Sequence, residues 1–381
     1  MKLLKSLTIT TLISLSNIAL AIDGTGSFTS GGITRTFAYH APGTSIASNL
    51  PVMLVYHGDG GSGAGVKGYS GFDAVADAQN FIAVYPDAIA TSWNRYVDNV
   101  PGDAGLVNPG APDDVQFTSD LISYLCTNYH INSHEVYATG HSAGGFMAYC
   151  LAVQLSSKIA AFAPVSASLW GDNAYITNYF STSYVPVPIY HIHGDTDGTV
   201  SYPDPDNTPV AWGEWPLSGF SYPNCGNDTY ISISSIVAGS VSKLNFCLPT
   251  ATVKEVSLVR IIGGGHGWPS VGGYNPALSI WNFCNSYSLT STAICSTATG
   301  VDTFSSNNEF VLSPNPSSGL FTIKTNKTIS EIIVYDVLGN KINITQLSEN
   351  SYSLNNTDKG VYFIKISFEY NRYSIKKIIV E

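Results

Sequence analysis

A serine at 142, aspartates at 195 and 197 and a histidine at 266 follow one another in an order that could carry acyl transfer. An acyl-transfer serine needs a base within hydrogen-bond reach, a carboxylate to orient that base, and N–H donors for the oxyanion. Ser142 lies in Gly140-His141-Ser142-Ala143-Gly144, between a β-type run, Val136 to Thr139, and a helix-type run, Phe146 to Leu155. A strand, a sharp turn and a helix in that order lift a serine hydroxyl clear of a sheet. Gly140 and Gly144 supply the missing Cβ atoms that so tight a turn requires. The same turn aims the backbone N–H of Ala143 at the space where an oxyanion would form.

His266 is the best base, because it stands at a strand's end among Gly263, Gly264, Gly265 and Gly267, which let an imidazole swing over the turn. Trp268 beside it could wall an acyl pocket. The remaining histidines read otherwise: His191 and His193 as packed, His141 as part of the turn, His40, His130 and His134 as surface or turn residues. Asp195 and Asp197 both follow the strand ending at Ile192, and spacing alone leaves either as the orienting acid. His57-Gly58-Asp59-Gly60 follows an apolar strand and offers the backbone N–H of Asp59, with Gly58 next, as the second oxyanion donor. The carboxylate of Asp59 would oppose the developing charge unless it is paired or turned away. Asp195, Asp197, Asp204 and Asp206 read as a solvated acidic loop; without a 12-residue loop pattern a calcium site is the weaker reading, and no metal is expected. Trp93, Trp170, Trp212 and Trp215 fall in loops, and Trp93 is a candidate for the substrate cleft.

The elements that must position these residues alternate. Ser27 to Tyr39 reads as a hairpin turned at Ser30-Gly31-Gly32. Buried strands are expected at Val52–Tyr56, Phe81–Tyr85, Ile159–Val165, Val187–Ile192 and Val256–Ile262, and helices at Phe72–Ala78, Asp113–Tyr129 and Pro276–Tyr287. Strands alternating with helices give an α/β fold with a mainly parallel central sheet, whose functional groups gather outside the carboxyl ends of the strands.

Residues 1–21 carry two lysines, an apolar stretch and Ala19-x-Ala21, the pattern of a secretory signal peptide. No other run has the length and apolarity of a membrane span. Residues 22–307 hold 7 Lys and Arg against 20 Asp and Glu, an acidic balance that offers no footprint for nucleic acid. All six cysteines lie in this part, and behind a signal peptide they read as disulfides. Proximity pairs Cys225 with Cys247 and Cys284 with Cys295.

Residues 22–295 thus form the catalytic domain and 296–307 a Ser/Thr/Asn/Gly linker. From 308 to 381 the pattern changes to short β segments with turn signals between them, a small all-β sandwich domain.

The acidic domain resembles the polyhydroxybutyrate depolymerase-like esterases, a family akin to feruloyl and acetylxylan esterases. The resemblance rests on His57-Gly58-x-Gly60-Gly61, Asp113-Asp114-Val115, Val136 through Gly145, His191-Ile192-His193-Gly194-x-x-Asp197, Asn224-Cys225 and Gly263-Gly264-Gly265-His266-x-Trp268-Pro269. It implies an α/β-hydrolase fold, with Ser142 the nucleophile, Asp197 the acid and His266 the base. Asp59 and Ala143 stand where many relatives carry Cys and Asn. Pro314-Asn315-Pro316, Gly319, Tyr335-Asp336-Val337-Leu338-Gly339, Gly360-Val361-Tyr362 and Lys376-Lys377 resemble the C-terminal sorting domain of type IX secretion substrates. That implies contact with the type IX secretion machinery, removal of the module, and a destination outside the cell or on its surface.

The expected activity is hydrolysis of polymer-linked esters through an acyl-enzyme, without a cofactor. Feruloyl or acetyl esters of plant-wall xylan come first and a polyester such as polyhydroxybutyrate second. A non-catalytic glycan-binding protein and an acyltransferase are the readings from other classes. Such a base works only when neutral, so activity should fall below about pH 6, where an ordinary imidazole is protonated.

Overall fold

The computed structural model describes residues 21–89, 92–95, 112–171, 185–202, 214–215, 220, 231–250, 253–290, 295, 310–325, 329–337, 340–348, 350–354, 357–368 and 373–381. Residues 1–20, the linker 296–307, and Asp204, Asp206, Trp212 and Cys225 lie outside them.

The first part of the chain is ordered as β1 (Ala21–Ser30), β2 (Ile33–Pro42), β3 (Val52–Tyr56), α1 (Gly63–Ser70), α2 (Phe72–Gln79), β4 (Ile82–Pro86), α3 (Asp114–Tyr129) and β5 (Val136–His141). Then come α4 (Ala143–Gln154), β6 (Ala161–Val165), β7 (Ile189–Gly194), β8 (Ser232–Val237), β9 (Val241–Cys247), β10 (Val256–Ile261) and α5 (Pro276–Cys284). The strands form one ten-stranded sheet in the order β1-β2-β4-β3-β5-β6-β7-β10-β9-β8. From β4 to β10 the neighbours are parallel, and the outer pairs on both sides are antiparallel. β3, β4 and β6 are buried at every position, as continuous apolar runs covered on both faces must be.

The β1–β2 hairpin turns where expected, because Gly31 and Gly32 take φ of 57° and 79°, the left-handed pair that a two-residue hairpin needs. Its strands run further than the apolar pattern suggests, from Ala21 to Pro42. α1 fills a stretch read as loop: Ser62 caps it by accepting from the Gly65 N–H at 3.1 Å, while Val66 and Ser70 pack inward.

One cysteine pairing departs from proximity. Cys295 is bonded to Cys126 on α3, not to Cys284. Cys284 closes α5 facing the apolar core, where it is fully buried as a free thiol. The Leu289 N–H donates to the His134 carbonyl at 2.9 Å, and the Cys295 N–H to Ser133 Oγ at 3.2 Å. These bonds place Cys295 beside the end of α3. Cys247 is also disulfide-bonded. The Cys126–Cys295 bridge spans 169 residues, so it restrains a long loop of the unfolded chain. Cys126→Ser is expected to lower unfolding free energy by about 2–5 kcal/mol in urea titrations under non-reducing conditions.

Residues 310–381 have their own core. β11 (Val311–Ser313), β12 (Leu320–Lys324), β13 (Ile329–Tyr335), β14 (Lys341–Ile342), β15 (Ile344–Ser348), β16 (Ser351–Leu354), β17 (Gly360–Phe368) and β18 (Tyr373–Val380) make two antiparallel sheets, ordered β11-β12-β16-β15 and β14-β13-β17-β18. Alternate residues such as Phe321 and Ile323 from one sheet, and Ile364, Ile366 and Ile378 from the other, are buried between them. Asn315 stitches its turn to β18, donating to the Lys377 carbonyl at 2.7 Å and accepting from the Ile379 N–H at 2.9 Å.

Candidate functional site

β5 delivers the chain to Ser142, and α4 begins on the very next residue. The apolar run places that helix three residues later, because Gly144 and Gly145 hide its first turn from a hydrophobicity reading. Ser142 itself takes φ 54° and ψ −121°, a conformation in which non-glycine residues are strained. Two neighbours tolerate the turn only as glycines. A Cβ on Gly144 would stand 2.1 Å from the Tyr56 carbonyl oxygen, and one on Gly140 2.5 Å from the backbone of Gly144.

His266 Nε2 lies 3.0 Å from Ser142 Oγ, and His266 Nδ1 2.8 Å from Asp197 Oδ2. Asp197 has no exposed side-chain surface, whereas His266 keeps 19% of its own. Two backbone N–H groups fix the other carboxylate oxygen, Thr199 at 2.8 Å and Val200 at 3.0 Å. Burial by itself would push the Asp197 carboxyl up, but hydrogen bonds from His193, Val200, His266 and Thr199 outweigh it and hold the group well below the usual range. The carboxylate is therefore ionised at neutral pH.

Asp195 points elsewhere. Its Oδ2 is 2.8 Å from Arg260 Nε and 2.7 Å from a second guanidinium nitrogen, and its Oδ1 accepts from the Gly263 N–H at 2.7 Å. With Thr196 bonded through both N–H and Oγ1 to the Gly264 carbonyl, it ties the loop after β7 to the loop after β10. Those are the loops that carry Asp197 and His266.

The Gly-rich loop after β3 passes beside the serine: a Cβ on Gly58 would lie 3.5 Å from that of Ser142. His57 braces this loop, a part that its motif alone did not disclose. Its Nε2 accepts from the Ala88 N–H at 3.1 Å, so its proton sits on Nδ1 and is donated to the Gly58 carbonyl at 2.8 Å. Asp59 is exposed, and its carboxylate accepts a hydrogen bond from Ser92 Oγ. Trp93 does not line a cleft. It is 1% exposed, packs on Tyr56 and His57, and donates Nε1–H to the His57 carbonyl at 2.8 Å. Its size and its one donor are used to seat the loop.

Trp268 is half-buried, edge-on to Tyr69 and Phe72 at 6.2 and 6.1 Å. A cleft of about 340 Å³ runs along Gly194, His266, Trp268 and Val271. A second, of about 480 Å³, is lined by Tyr69, His141, Trp268, Pro269 and Ser270. Among the described residues His141 Nε2 is buried without a hydrogen-bond partner, and the ring lies 5.1 Å from that of His266. Burial, with His266 and His193 nearby, pushes His141 down to about 4.

Among the described residues, Asp23, His40 and Asp73 are the group spaced to hold a metal. Lys67 already supplies the cation, with its ammonium on Asp73 and 2.7 Å from Asp23, and His40 bridges Asp23 and Asp77 at 2.9 and 3.1 Å. Burial would lower the His40 value, but the carboxylates outweigh it and raise it. That contribution to stability is complete below the ordinary imidazole value of 6.5 and is lost as pH rises through the raised one. Burial lowers His57, His141 and His191, so their contribution is present above 6.5 and lost as pH falls. The thermal midpoint should therefore peak near neutrality. It should fall towards pH 4 and, more gently, towards pH 9, and His40→Gln should flatten the alkaline limb alone; scanning calorimetry across that range checks both.

Comparison with known proteins places this geometry. Over 272 residues the chain is 28% identical to NocK of Nocardia uniformis subsp. tsuyamanensis, a presumed esterase, covering 65% of this chain and 74% of that protein. It is 30% identical over 171 residues to the bifunctional acetylxylan esterase/xylanase XynS20E of Neocallimastix patriciarum, covering 45% of this chain and 22% of that one. The fold is that of the acetyl xylan esterase structure from Aspergillus awamori, with a TM-score of 0.50 at 14% identity over 69% of this chain and 99% of the other. The chain has the α/β-hydrolase fold and is similar to these esterases. Residues 312–381 of this esterase match the secretion system C-terminal sorting domain, so it is an exported carboxylic ester hydrolase. Among the described residues of the esterase, no helix is long and apolar enough to cross a membrane.

Proposed function

We propose that the protein hydrolyses hydroxycinnamoyl or acetyl esters of plant-wall xylan through an acyl-enzyme on Ser142. The observation that carries the mechanism is the unbroken chain Ser142 Oγ, His266, Asp197, with contacts of 3.0 and 2.8 Å. Ser142 Oγ adds to the ester carbonyl while its proton passes to His266 Nε2. Asp197 holds the proton on His266 Nδ1, so that Nε2 is free to accept. The N–H groups of Ala143, first in α4, and Asp59 stabilise the oxyanion, aided by the positive end of that helix. His266 then protonates the departing sugar oxygen. Water repeats the sequence on the acyl-enzyme, releasing the acid and restoring the serine. No step calls for a cofactor.

The cleft supports the aromatic acyl group over acetyl. Its walls are the rings of Tyr69 and Trp268, and its volume of about 480 Å³ far exceeds what an acetyl group fills. The sorting domain fits this reading: the secretion machinery reads it and removes it, and the enzyme meets a polymer too large to enter a cell. Purified mature protein assayed side by side on methyl ferulate, acetylated xylan and polyhydroxybutyrate film tests the proposal. Turnover of the first above the second is expected. Activity confined to the film would replace the substrate, product transferred to an alcohol in place of water would make the protein an acyltransferase, and no labelling by a fluorophosphonate would leave a glycan-binding protein.

A further inference from the structure

Behind Asp197 the hydrogen-bonded chain does not stop. His193 Nε2 stands 3.2 Å from Asp197 Oδ2 and 3.0 Å from the Val200 carbonyl oxygen. His193 Nδ1 is 2.7 Å from His191 Nε2, with the two rings 11° from parallel. His191 Nδ1 meets the hydroxyl of Tyr149 on α4. His191 is 1% exposed and His193 fully buried. Two buried imidazoles in a central strand cost desolvation that Leu or Val at the same places would not. β7 needs neither of them to form, since Ile189 and Ile192 already bury its faces.

The proton positions follow from the partners. His193 Nε2 faces only acceptors, a carbonyl and a carboxylate, so it carries hydrogen. A nitrogen-to-nitrogen contact of 2.7 Å holds one proton, and Tyr149 decides whose it is. Burial keeps that phenol protonated and His191 neutral. Among the described residues, His191 Nδ1 is the one acceptor recorded for the Tyr149 O–H. Tyr149 therefore donates to His191 Nδ1, His191 Nε2–H donates to His193 Nδ1, and His193 Nε2–H donates to Asp197. The reverse polarity would strand a buried O–H, at a cost of about 1–3 kcal/mol.

We propose that His193, set by His191 and Tyr149, is a positioning residue of the hydrolytic site, holding Asp197 Oδ2 in line for His266. Both carboxylate oxygens are then clamped: Oδ1 by the Thr199 and Val200 N–H groups, Oδ2 between two imidazoles. Without His193, Oδ2 keeps one side-chain donor and can swing about the Oδ1 anchor. A misplacement of about 1 Å at that distance from the chemistry costs on the order of 10²-fold in rate.

The inference rests on the proposed Ser142 mechanism, and the test separates the two. With methyl ferulate, His193→Leu is expected to lower kcat by about 10–100-fold with KM unchanged, and to slow inactivation by a fluorophosphonate in parallel. His193→Gln, which keeps an N–H donor, should recover part of the loss. Tyr149→Phe removes one oxygen from the far end, so it keeps the packing, and should lower kcat by about 3–10-fold with KM again unchanged. If His193→Leu does not fold, Tyr149→Phe decides. An inactive Ser142→Ala together with Tyr149→Phe and His193→Leu enzymes of unaltered kcat, or altered only in KM, overturns the positioning role and leaves the mechanism standing. An active Ser142→Ala removes the mechanism itself.

Discussion

Ser142→Ala is expected to lower kcat on methyl ferulate by about 10⁶-fold while leaving KM nearly unchanged and abolishing fluorophosphonate labelling. The size follows from what the hydroxyl does. In the proposed mechanism the acyl-enzyme forms on it, so its loss removes the covalent route and leaves only binding and the oxyanion donors to assist water. The fold should not suffer, because among the described residues the one side-chain hydrogen bond of Ser142 is to His266, and the backbone bonds from its N–H to Val165 and from Phe146 to its carbonyl do not involve the hydroxyl. Ser142→Gly separates the chemistry from the strain. A φ of 54° is costly for any residue with a Cβ and cheap for glycine, so this variant should be equally inactive yet more stable by roughly 1 kcal/mol. Kinetics and urea titration of the two variants check these expectations together. An alanine variant that still turned over within a hundredfold would sink the acyl-enzyme.

The elements that carry this machinery were legible where burial is complete. Val52 to Tyr56 is apolar without interruption, and a strand covered on both faces leaves no other pattern. The glycines around Ser142 were legible because close backbone approach admits nothing larger. α1 was not, since Gly63-Ala64-Gly65-Val66-Lys67-Gly68 has poor helix propensity and depends on the Ser62 cap and on packing. β8 was missed for the opposite reason: nearly all of Ser232 to Val237 is exposed, and serines break the alternation that would mark an edge strand. The cysteine pairing failed because nearness in sequence says nothing of which side of α5 Cys284 faces. His193 was rightly read as packed, but its donor to Asp197 depends on how the turn after β7 folds back, and a residue pattern does not record that. The same holds for Asp195 and Asp197. Two positions apart in one loop, they differ in what each meets, the Arg260 guanidinium and Gly263 N–H for Asp195, the His193 and His266 imidazoles for Asp197.

Those two aspartates therefore give the second large contrast: Asp197→Asn is expected to cost about 10⁴-fold in kcat, and Asp195→Asn less than about tenfold. Four donors converge on Asp197, the N–H groups of Thr199 and Val200 on one oxygen, His193 and His266 on the other. An amide has only one acceptor atom for these two positions. If its NH₂ faces the histidines, His266 must give up the Nδ1 proton, the proton moves to Nε2, and the ring can no longer take one from Ser142. If its NH₂ faces the backbone, two N–H groups lose their acceptor, and the fold loses stability at about 1–3 kcal/mol for each. Asp195→Asn meets a different situation. Its oxygen can still accept from Gly263 or from Arg260, whose side chain is 40% exposed and can be solvated, so what is lost is part of an ion pair with little worth at a wet surface. The loops that bear Asp197 and His266 remain joined through Thr196 and Gly264. Measured side by side on methyl ferulate, with thermal midpoints to separate folding from chemistry, a large kcat loss at 195 and a small one at 197 would exchange the roles of the two residues.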